Sequence, residues 1–486
     1  MDITSPSPKK TSVVRLRAKQ TGEIVQGCEV YIGRKVNRKP WNELIKEDSI
    51  WANPFKGGDP GDNVYKYYKW IQEPQQAWLL ARIGELRGQQ LGCWCVEKGY
   101  EPCHGWVLAY FADGIMSPVL KNIIQTREHT LGGMTIEQKR ATITPIIANN
   151  PPRVELDRVK GGFIAMALGD ALGVPHEFSQ TNQYTGRLQY RLKYLRQFQP
   201  PLILGLGQYS DDTEMAIALA RALIEGKGWN RKMVIRAYID WANSNMPLMG
   251  KHTRELFKDK TYDKYVNTYQ NLYGAEPGEI LYNSFGESSQ SNGSLMRCFP
   301  LGCLWNANAP ENDAALTNPS SVNTYINSFY VNLLRLALTG RPAKEVWEYA
   351  KNSANIHPEI QKVVSAVINS QNWNLSGSNK GWVVFSLYAS MVCLSNLASD
   401  NPSNYNQLMY WVIGMHPSSD TDTNACIAGG LIGSLIGWDK LNEDELFREN
   451  INVMFNMRET ELQRPQAYRL DDFEQICTQL TLLSGL

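Results

Sequence analysis

The chain has 486 residues and an almost balanced charge, with 49 Lys and Arg against 48 Asp and Glu. Hydrophobic residues make up 43% of the sequence and aromatic residues 10%, which is enough for hydrophobic cores and excludes a wholly disordered protein. The formal net charge of +1 gives no global attraction to nucleic acid or to an anionic membrane. At roughly 150 residues per domain, the length predicts about two to four domains.

Cysteine usage and hydropathy predict a soluble, cytoplasmic protein with reduced thiols. The nine cysteines are odd in number and thinly spread, and residues 1–10 are polar and rich in proline, unlike a secretory signal. The sequence contains no run of about 18 consecutive apolar residues, so we expect no membrane-spanning helix and no membrane partner.

Residues 1–125 have the pattern of a small α/β or α+β domain. They carry 17 Lys and Arg against 13 Asp and Glu, a net charge of +4, while the remainder carries −3. Apolar residues recur at helical spacing over Val64–Arg87, and short β-like runs flank this segment at Ser12–Arg17, Cys28–Ile32 and Gln90–Cys95. The Asn-Asn-Pro-Pro sequence within Thr144–Arg153 cannot stay helical, and we predict a linker at 126–155.

Residues 156–486 predict one all-α domain. Loops rich in Gly, Asn, Ser and Pro separate its helices, and the sequence shows no repeat of fixed length, which excludes a solenoid. The clearest segments with a helical apolar period are Thr213–Glu225, Arg231–Asn243, Tyr325–Leu338, Ala343–Ser353, Glu359–Asn369 and Trp382–Ser395.

Two acidic clusters open apolar helices in this domain: Tyr209–Met215 (YSDDTEM) and Ser418–Asn424 (SSDTDTN). Carboxylates and hydroxyls at a helix N-terminus can serve as caps alone. However, Asp420 and Asp422 are two residues apart and can converge in a loop before the helix, where uncompensated carboxylates need a cation. Oxygen donors favour Mg²⁺, Mn²⁺ or Ca²⁺ over Zn²⁺, so metal ligation is the preferred interpretation.

The helix after the second cluster carries glycines at four-residue steps, Gly429, Gly433 and Gly437. Such a face allows another helix to approach closely, which predicts a buried helix.

Two further segments fit a site but are weak alone. Gly161–Glu177 begins as a small-residue helix and leaves Glu177 on a loop, and Ser291–Arg297 (SNGSLMR) offers backbone donors and an Arg suited to phosphate.

In this order and at this spacing, the four segments resemble the signature of the ADP-ribosylglycohydrolase family, relatives of the enzyme that reactivates dinitrogenase reductase. The resemblance runs from about residue 157 to the end of the sequence. It implies a compact all-α fold, two Mg²⁺ or Mn²⁺ ions, and hydrolysis of the bond between ADP-ribose C1″ and a modified side chain. The implied metal ligands are Ser210, Asp211, Asp212, Asp420, Asp422 and Thr423.

The resemblance also assigns the remaining site residues. Glu177 matches an acidic residue on a mobile flap beside the metals. The residues that would hold the ribose and diphosphate are Ser291, Asn292, Gly293, Ser294 and Arg297. Two hard cations can orient the ribose hydroxyls and acidify a water that attacks C1″. Either Glu177 or Asp211 could take or return the proton, and the sequence leaves this choice open.

Two departures from the family pattern are visible. Ser418-Ser419 stands where the family usually has two glycines, and Asn318 replaces a histidine in the Leu316–Pro319 segment, removing a ribose contact. Relatives without catalysis exist, so a catalytically inactive ADP-ribose-binding protein or a crystallin-like structural protein is the alternative. The expected partner is an ADP-ribosylated protein or another ADP-ribosyl conjugate, whose acceptor stays open between arginine, serine, a nucleic-acid end and a small molecule.

The densest group of cysteine and histidine residues lies in the N-terminal domain. If Gln90–Cys95 is a strand, Cys93 and Cys95 share a face, and Cys103 and His104 follow just past a turn. Three thiolates and one imidazole could bind Zn²⁺. The spacing differs from that of zinc fingers, so buried free thiols are the alternative.

Three segments of this domain resemble an uncharacterised small domain of phages, bacteria and large DNA viruses: Val30–Arg34, Trp51–Phe55 and Gly92–Gly105. The resemblance implies no function. Arg34, Asn53 and His104 are polar residues within apolar and Gly-rich sequence, which makes them candidate site residues with surface or turn roles as the alternative.

Overall fold

The computed structural model describes residues 10–18, 24–35, 45–55, 60–72, 76–93, 101–114, 117–121, 123, 152–177, 193–195, 202–279, 289–414, 418–456 and 462–485. These fall into two compact units, one formed by the described residues up to 123 and the other by those from 152 onward. Each unit has a hydrophobic core of its own. Only residues 152–155 of the predicted linker are described, so the boundaries at 125 and 155 remain predictions.

The first unit is built on a three-stranded parallel sheet. Strand β5 is central and pairs with β1 and β4, so Leu91 lies opposite Val13 on one side and Val30 on the other. Strands β2 and β3 form a separate antiparallel ribbon. The elements in chain order are β1 (Ser12–Arg15), β2 (Arg17–Ala18), β3 (Ile24–Gln26), β4 (Val30–Tyr31), α1 (Pro60–Trp70), α2 (Ala77–Ala81), β5 (Gln90–Cys93) and α3 (Gly105–Asp113).

The predicted α/β class of this unit is confirmed. Parallel strands need a crossover connection, and α1, α2 and a 3-10 turn at Ile83–Leu86 provide it between β4 and β5. The segment Val64–Arg87 is therefore not one continuous helix. Side chains from sheet and helices form one core, in which Tyr67 and Val107 are fully buried.

The second unit is mostly helical, which confirms the predicted class. It also contains a short antiparallel ribbon, β6 paired with β7, that the sequence did not indicate. The elements in chain order are α4 (Leu156–Gly173), β6 (Lys193–Leu195), β7 (Leu202–Leu204), α5 (Asp211–Glu225), α6 (Arg231–Asn243), α7 (Lys251–Phe257), α8 (Tyr262–Tyr273), α9 (Ala309–Ala314), α10 (Ser321–Leu338), α11 (Ala343–Ser353), α12 (Pro358–Ile368), α13 (Val383–Leu397), α14 (Tyr405–Gly414), α15 (Thr421–Ile436), α16 (Trp438–Leu441), α17 (Glu445–Phe455) and α18 (Phe473–Leu483).

Helices α4 and α15 pack antiparallel at very short range, and this contact positions the site. A Cβ atom added at Gly433 would lie 2.2 Å from the carbonyl oxygen of Gly161, and one added at Gly429 would lie 2.4 Å from that of Ala165. A Cβ atom at Gly169 would lie 2.3 Å from the Ala425 carbonyl oxygen. Only glycine permits such close approach, as the glycine spacing predicted. The C-terminus of α4 therefore meets the N-terminus of α15.

None of the helices in the described ranges is long and apolar enough to cross a membrane.

Candidate metal centre

Carboxylates from three elements meet where α4 ends and where α5 and α15 begin. Oxygen atoms of Asp170, Asp212 and Asp422 all lie within 4.8 Å of one another. Oxygen atoms of Glu177, Asp420 and Asp422 form a second such group, so Asp422 belongs to both. Two neighbouring groups that share a carboxylate are an arrangement that can hold one or two hard cations.

The first predicted cluster occupies the start of α5. The hydroxyl of Ser210 accepts the Asp212 N–H at 3.3 Å as the helix cap and donates to Asp212 Oδ2 at 2.7 Å. Asp212 Oδ1 is buried and has no hydrogen-bond partner among the described residues. A buried carboxylate oxygen without a partner is costly, and a cation would satisfy it. The residues present therefore fit a hard metal ion.

Asp170 is a site residue that the ligand assignment missed. Its Oδ1 accepts the Ser210 N–H at 3.0 Å, and its Oδ2 accepts the Thr213 N–H at 3.0 Å and the Thr213 hydroxyl at 2.6 Å. It thus ties the end of α4 to the start of α5 while belonging to the first carboxylate group. The sequence could have indicated this residue, because Asp170 is the one carboxylate in a run of small and apolar residues, GGFIAMALGDALG, where burial is expected.

The second predicted cluster occupies the start of α15. Asp420 has the non-helical N-cap conformation (φ −82°, ψ 78°), which explains how its carboxylate can converge with that of Asp422, inside the first turn. Asp422 Oδ1 accepts the Thr423 N–H at 3.0 Å, and the Thr421 hydroxyl donates to the Gly173 carbonyl at 2.9 Å. Thr423 is buried at the same helix start.

Ser418, at the position where the family usually has glycine, has a φ of +66°. This left-handed conformation is favoured by glycine and carries strain for serine. Serine at position 418 therefore keeps the backbone conformation that glycine favours. The neighbouring Ser419 is buried.

Burial and mutual repulsion raise the pKa values of the acids at the centre. Burial raises the pKa of Asp170 to about 6, although the Thr213 and Ser210 hydrogen bonds oppose the shift. Burial and the neighbouring Glu177 raise the pKa of Asp420 to about 6. Desolvation, followed by nearby carboxylates, raises the pKa values of Asp211 and Asp212 well above the ordinary carboxyl range. Cation binding would relieve this repulsion.

Asp211 lies at the rim of the centre rather than inside either group. Its side chain is partly exposed, and its Oδ2 accepts the Gly250 N–H at 3.4 Å. Glu177 is also partly exposed and follows a 3-10 turn, Val174–His176, that continues α4. Both candidates for proton transfer therefore have access to solvent, Asp211 beside the carboxylate groups and Glu177 within the second one.

A buried ion pair anchors the start of α5. The Arg464 guanidinium donates to both oxygens of Glu214 at 2.7 Å, and the Trp241 indole N–H donates to the same carboxylate at 2.9 Å. Arg464 also donates to the Ser244 carbonyl at 2.8 Å. Because a bidentate pair fixes geometry as well as charge, it limits movement of the adjoining Asp211 and Asp212.

The Ser291–Arg297 loop lies against the second carboxylate group. The Asn292 amide donates to Asp420 Oδ2 at 2.8 Å, and its backbone N–H donates to the Gly381 carbonyl at 2.9 Å. Ser294 is buried and accepts from the Asn327 amide at 3.0 Å. The loop is thus held to the centre by Asn292 and to α10 by Ser294.

The expectation that Arg297 contacts phosphate needs correction. Arg297 is fully buried in a salt bridge with Asp313, with Nε to Oδ2 at 3.0 Å. The same guanidinium donates to the Gly293 carbonyl at 2.8 Å and to the Thr317 hydroxyl at 3.0 Å. The side chain is fully buried and leaves no surface for a ligand, so Arg297 supports the loop from beneath.

Asn318, which replaces the expected histidine, supports the same loop. Its amide donates to the Ser289 carbonyl at 2.8 Å and to the Ser291 hydroxyl at 3.2 Å, and its side chain is fully buried. It therefore stabilises the loop from a position without access to a ligand.

A shallow groove of about 540 Å³ adjoins the centre. Ser291 and Trp382 pair across it as an antiparallel bridge, and the Trp382 indole donates to Gln290 Oε1 at 3.0 Å. A Cβ atom at Gly381 would lie 3.3 Å from Asp420 Oδ2, so this residue of the groove lies close to the Asp420 carboxylate. Its lining consists of Gln290, Ser291, Ser378, Asn379, Gly381 and Trp382.

In the first unit, the structure brings together three of the four predicted zinc ligands. Donor atoms of Cys93, Cys103 and His104 all lie within 4.8 Å of one another, whereas Cys95 lies outside the described residues. Arg34 and Asn53 line the same pocket as these three residues.

Comparison with known proteins agrees with both parts of the sequence pattern. The sequence profile of the ADP-ribosylglycohydrolase family matches residues 151–464, and the profile of a domain of unknown function (DUF4326) matches residues 14–114. A protein of Acanthamoeba polyphaga mimivirus whose name places it among the ADP-ribosyl glycohydrolases is 27% identical over 307 residues, 57% of this chain and 86% of the viral protein.

Bacterial relatives and a solved structure are also similar to this chain. ADP-ribosylarginine hydrolase Tri1 of Pseudomonas putida is 24% identical over 316 residues, covering 62% of this chain and 75% of that protein. The ADP-ribosyl-[dinitrogen reductase] glycohydrolase of Rhodospirillum rubrum is 26% identical over 144 residues, 30% of this chain and 43% of that protein. A structure described as an ADP-ribosylglycohydrolase-related protein complex has a TM-score of 0.47 and 19% identity, and covers 68% of this chain and 98% of its own.

The first unit has a relative of its own, an uncharacterized mimivirus protein that is 37% identical over 108 residues, 20% of this chain and 78% of that protein. The profile match to residues 151–464 spans well over half of the sequence and contains both carboxylate groups of the candidate centre. The chain therefore belongs to the ADP-ribosylglycohydrolase family.

Proposed function

We propose that the second unit is a metal-dependent ADP-ribosylglycohydrolase that removes ADP-ribose from a modified protein side chain or a related conjugate. The observation that carries the proposal is the convergence of five acids from three distant segments: Asp170, Glu177, Asp212, Asp420 and Asp422. Three of these carboxylates, Asp170, Asp212 and Asp422, are buried, and their close approach to one another is unfavourable without a cation. Family membership supplies the reaction class.

The proposed cation ligands divide between the two carboxylate groups. In the first carboxylate group, Mg²⁺ or Mn²⁺ would be held by Asp212 and Asp422 together with the Ser210 and Thr423 hydroxyls. In the second group, Asp420 would be a metal ligand. Bound cations would neutralise the acids and polarise the ribose hydroxyls and a water. Asp170 already accepts hydrogen bonds from three donor groups at the start of α5, so its expected contribution is to orient that helix.

The chain's own residues would position the substrate. The groove beside Asp420, bordered by Gln290 and Trp382, would take the nucleotide portion, because an indole and an amide can stack against and bond to a base. Asn292, which bridges the loop and Asp420, would fix the carboxylate relative to the ribose.

Hydrolysis at C1″ adds a hydroxyl to the ribose carbon and returns a proton to the departing nitrogen or oxygen. Asp211 and Glu177 are partly exposed at the rim, which suits a group that exchanges protons with water and substrate. We propose Asp211 and Glu177 as the two candidates for this proton transfer.

The first test is a panel of defined ADP-ribosylated substrates incubated with the full chain in Mg²⁺, Mn²⁺ or EDTA. An arginine-linked substrate comes first, because one relative is named an ADP-ribosylarginine hydrolase. We expect release of ADP-ribose from at least one substrate with metal and loss of release with EDTA. Binding of ADP-ribose without release from any substrate would favour a catalytically inactive binding protein. Neither binding nor release would favour a crystallin-like structural protein.

The second test removes both acids of the α15 cluster. We expect the double variant Asp420→Ala, Asp422→Ala to lose release of ADP-ribose, because both carboxylate groups then lack members. The matched control is Asp400→Ala, whose side chain is 96% exposed and pairs with the surface residue Lys344. Undiminished release by the double variant would contradict the metal centre, and equal loss in the control would point to a general defect.

A further inference from the structure

The first unit contains a compact group of soft metal ligands that the glycohydrolase does not use. Cys93 is the last residue of β5, and Cys103 and His104 immediately precede α3. Their donor atoms all lie within 4.8 Å of one another, and the three side chains are 2%, 1% and 6% exposed. A tetrahedral zinc ion draws its donors from such a group, because the zinc–sulfur and zinc–nitrogen bonds are about 2.0–2.3 Å long.

The imidazole of His104 is oriented as a metal ligand would be. Its Nε2 lies 2.9 Å from the carbonyl oxygen of Ile32, the residue that follows β4. A neutral ring that donates from Nε2 carries its lone pair on Nδ1. Zinc-binding histidines usually donate their second nitrogen to a carbonyl or carboxylate in this way. An edge contact with Tyr67, at 5.2 Å between ring centroids, further restricts the ring.

The sulfur of Cys103 also has a partner typical of a coordinated thiolate. The Gly105 N–H, at the first turn of α3, donates to Cys103 Sγ at 3.4 Å. A glycine is required there, because a Cβ atom would lie 2.7 Å from Val13 Cγ1. Simple hydrophobic packing would explain the burial of the two thiols. It does not explain why a histidine ring nitrogen and two cysteine sulfurs converge.

The three donors border a pocket of about 770 Å³. The pocket lies at the carboxyl ends of parallel strands β4 and β5, the edge at which open α/β sheets bind ligands. Arg34 stands on its wall, where its guanidinium donates to the Phe55 carbonyl at 2.8 Å. A fourth coordination position directed at the pocket would therefore be reachable by water.

We propose that Cys93, Cys103 and His104 form a zinc site in the first unit, with the fourth position facing this pocket. Coordination displaces the two thiol protons, and the resulting thiolates balance the two charges of the ion. The site is independent of the glycohydrolase reaction and of its hard cations, which take oxygen ligands.

The test measures zinc in the full chain after addition of ZnCl₂ with a reductant and removal of unbound metal. The chain carries Asp212→Asn and Asp422→Asn, so that the acidic centre does not contribute. We expect about one equivalent of zinc, unchanged by Cys28→Ser, a thiol of the same unit outside the group, and reduced at least about tenfold by Cys93→Ser with Cys103→Ser. Less than about a tenth of an equivalent before the cysteine changes would overturn the proposal.

Cobalt provides a second readout that requires no cysteine variant to fold. Co²⁺ bound by two thiolates and one imidazole in a tetrahedral site gives intense visible absorption and a thiolate-to-metal band in the near ultraviolet. We expect both in the full chain that carries Asp212→Asn and Asp422→Asn, and loss of both on titration with Zn²⁺. A spectrum without the thiolate band would overturn the site even if some zinc remained with the protein.

Discussion

Arg297 and Asp313 form a fully buried ion pair beneath the loop that contacts the acidic centre. Removing one partner of such a pair leaves an uncompensated charge in the core, which typically costs about 3–5 kcal/mol. We therefore expect Arg297→Met to lower the free energy of unfolding by about this amount, measured by urea denaturation. Arg341→Met, at an exposed pair with Glu345, is the control and should change stability little. If Arg297→Met instead weakens binding of ADP-ribose and leaves stability unchanged, Arg297 contacts the ligand.

The raised pKa values of Asp170 and Asp420 predict how stability changes with pH when no metal is bound. Both rise from 3.8 in the unfolded chain to about 6 in the folded chain. The folded state holds these protons more tightly, so their stabilising contribution is full below about pH 4 and is lost as the pH rises through about 6. In EDTA, we expect the unfolding temperature to fall by several degrees between about pH 5 and about pH 7.

Two comparisons isolate this effect from the rest of the chain. Asp420→Asn removes one of the titrating carboxyls and should flatten the decline, while Asp400→Asn at the surface should leave it unchanged. Mn²⁺ should reverse the decline, because it stabilises the ionised form. An unfolding temperature in EDTA that stays level or rises over this range would contradict the burial of ionised acids at this centre.

Sequence reasoning reached part of the site at the residue scale. The acids of the two helix starts were visible as short dense clusters, and they converge in the structure. Asp170 was not assigned, because a lone carboxylate within a helix gives no sign of the distant backbone groups that it caps. Arg297 was assigned to a ligand, because its partner Asp313 lies sixteen residues away and only the fold brings them together.

At the scale of elements, the antiparallel contact between α4 and α15 sets the spacing of the carboxylates. We expect Gly429→Ala to force these helices apart, because its Cβ would lie 2.4 Å from the Ala165 carbonyl oxygen. Overpacking of this kind costs about 1–3 kcal/mol of unfolding free energy. The same change should weaken Mn²⁺ binding, measured by titration calorimetry, because Asp422 and Asp170 move with their helices.

Gly84→Ala is the control for this substitution. A Cβ atom at Gly84 would meet nothing within 4 Å, so the alanine should be neutral or slightly stabilising. If Gly429→Ala leaves both stability and Mn²⁺ affinity unchanged, the close packing of these helices does not control the site.

Helices with a clean apolar period could be predicted closely from the sequence. The predicted Arg231–Asn243 and Ala343–Ser353 coincide with α6 and α11. The segment Val64–Arg87 instead contains two helices, with Pro74 between them in the sequence, because the apolar period continues across a residue that ends helices. The β6–β7 ribbon was missed, since strands of three residues are too short to show a period.

At the scale of the whole molecule, the two units have separate hydrophobic cores. We expect calorimetry of the full chain to show two unfolding transitions, of which Mn²⁺ raises only the one that belongs to the second unit. At a free concentration of 100 times Kd, the stabilisation would be about 2.7 kcal/mol. The Asp212→Asn variant identifies that transition, since its response to Mn²⁺ should be reduced. A single transition that shifts as a whole would show that the two units unfold together.

The division into two units was visible in the sequence as a change of composition and charge, and the candidate zinc ligands of the first unit were visible as its densest group of cysteine and histidine residues. The sequence did not show which of them meet, because Cys93 ends β5 and Cys103 lies ten residues later, just before α3, so only the fold brings the two together. The family of the second unit could be recognised because its four motifs occur in one order.

The antiparallel seating of α15 on α4 also has a consequence for protein synthesis. Chains emerge from the ribosome N-terminus first and domains tend to fold in that order, so the first unit can complete its core while most of the second is still unmade. The acids of α4 and α5 emerge roughly two hundred residues before Asp420 and Asp422. The cation centre therefore forms late, and occupancy by Mn²⁺ would report that a newly made chain has brought its distant segments together.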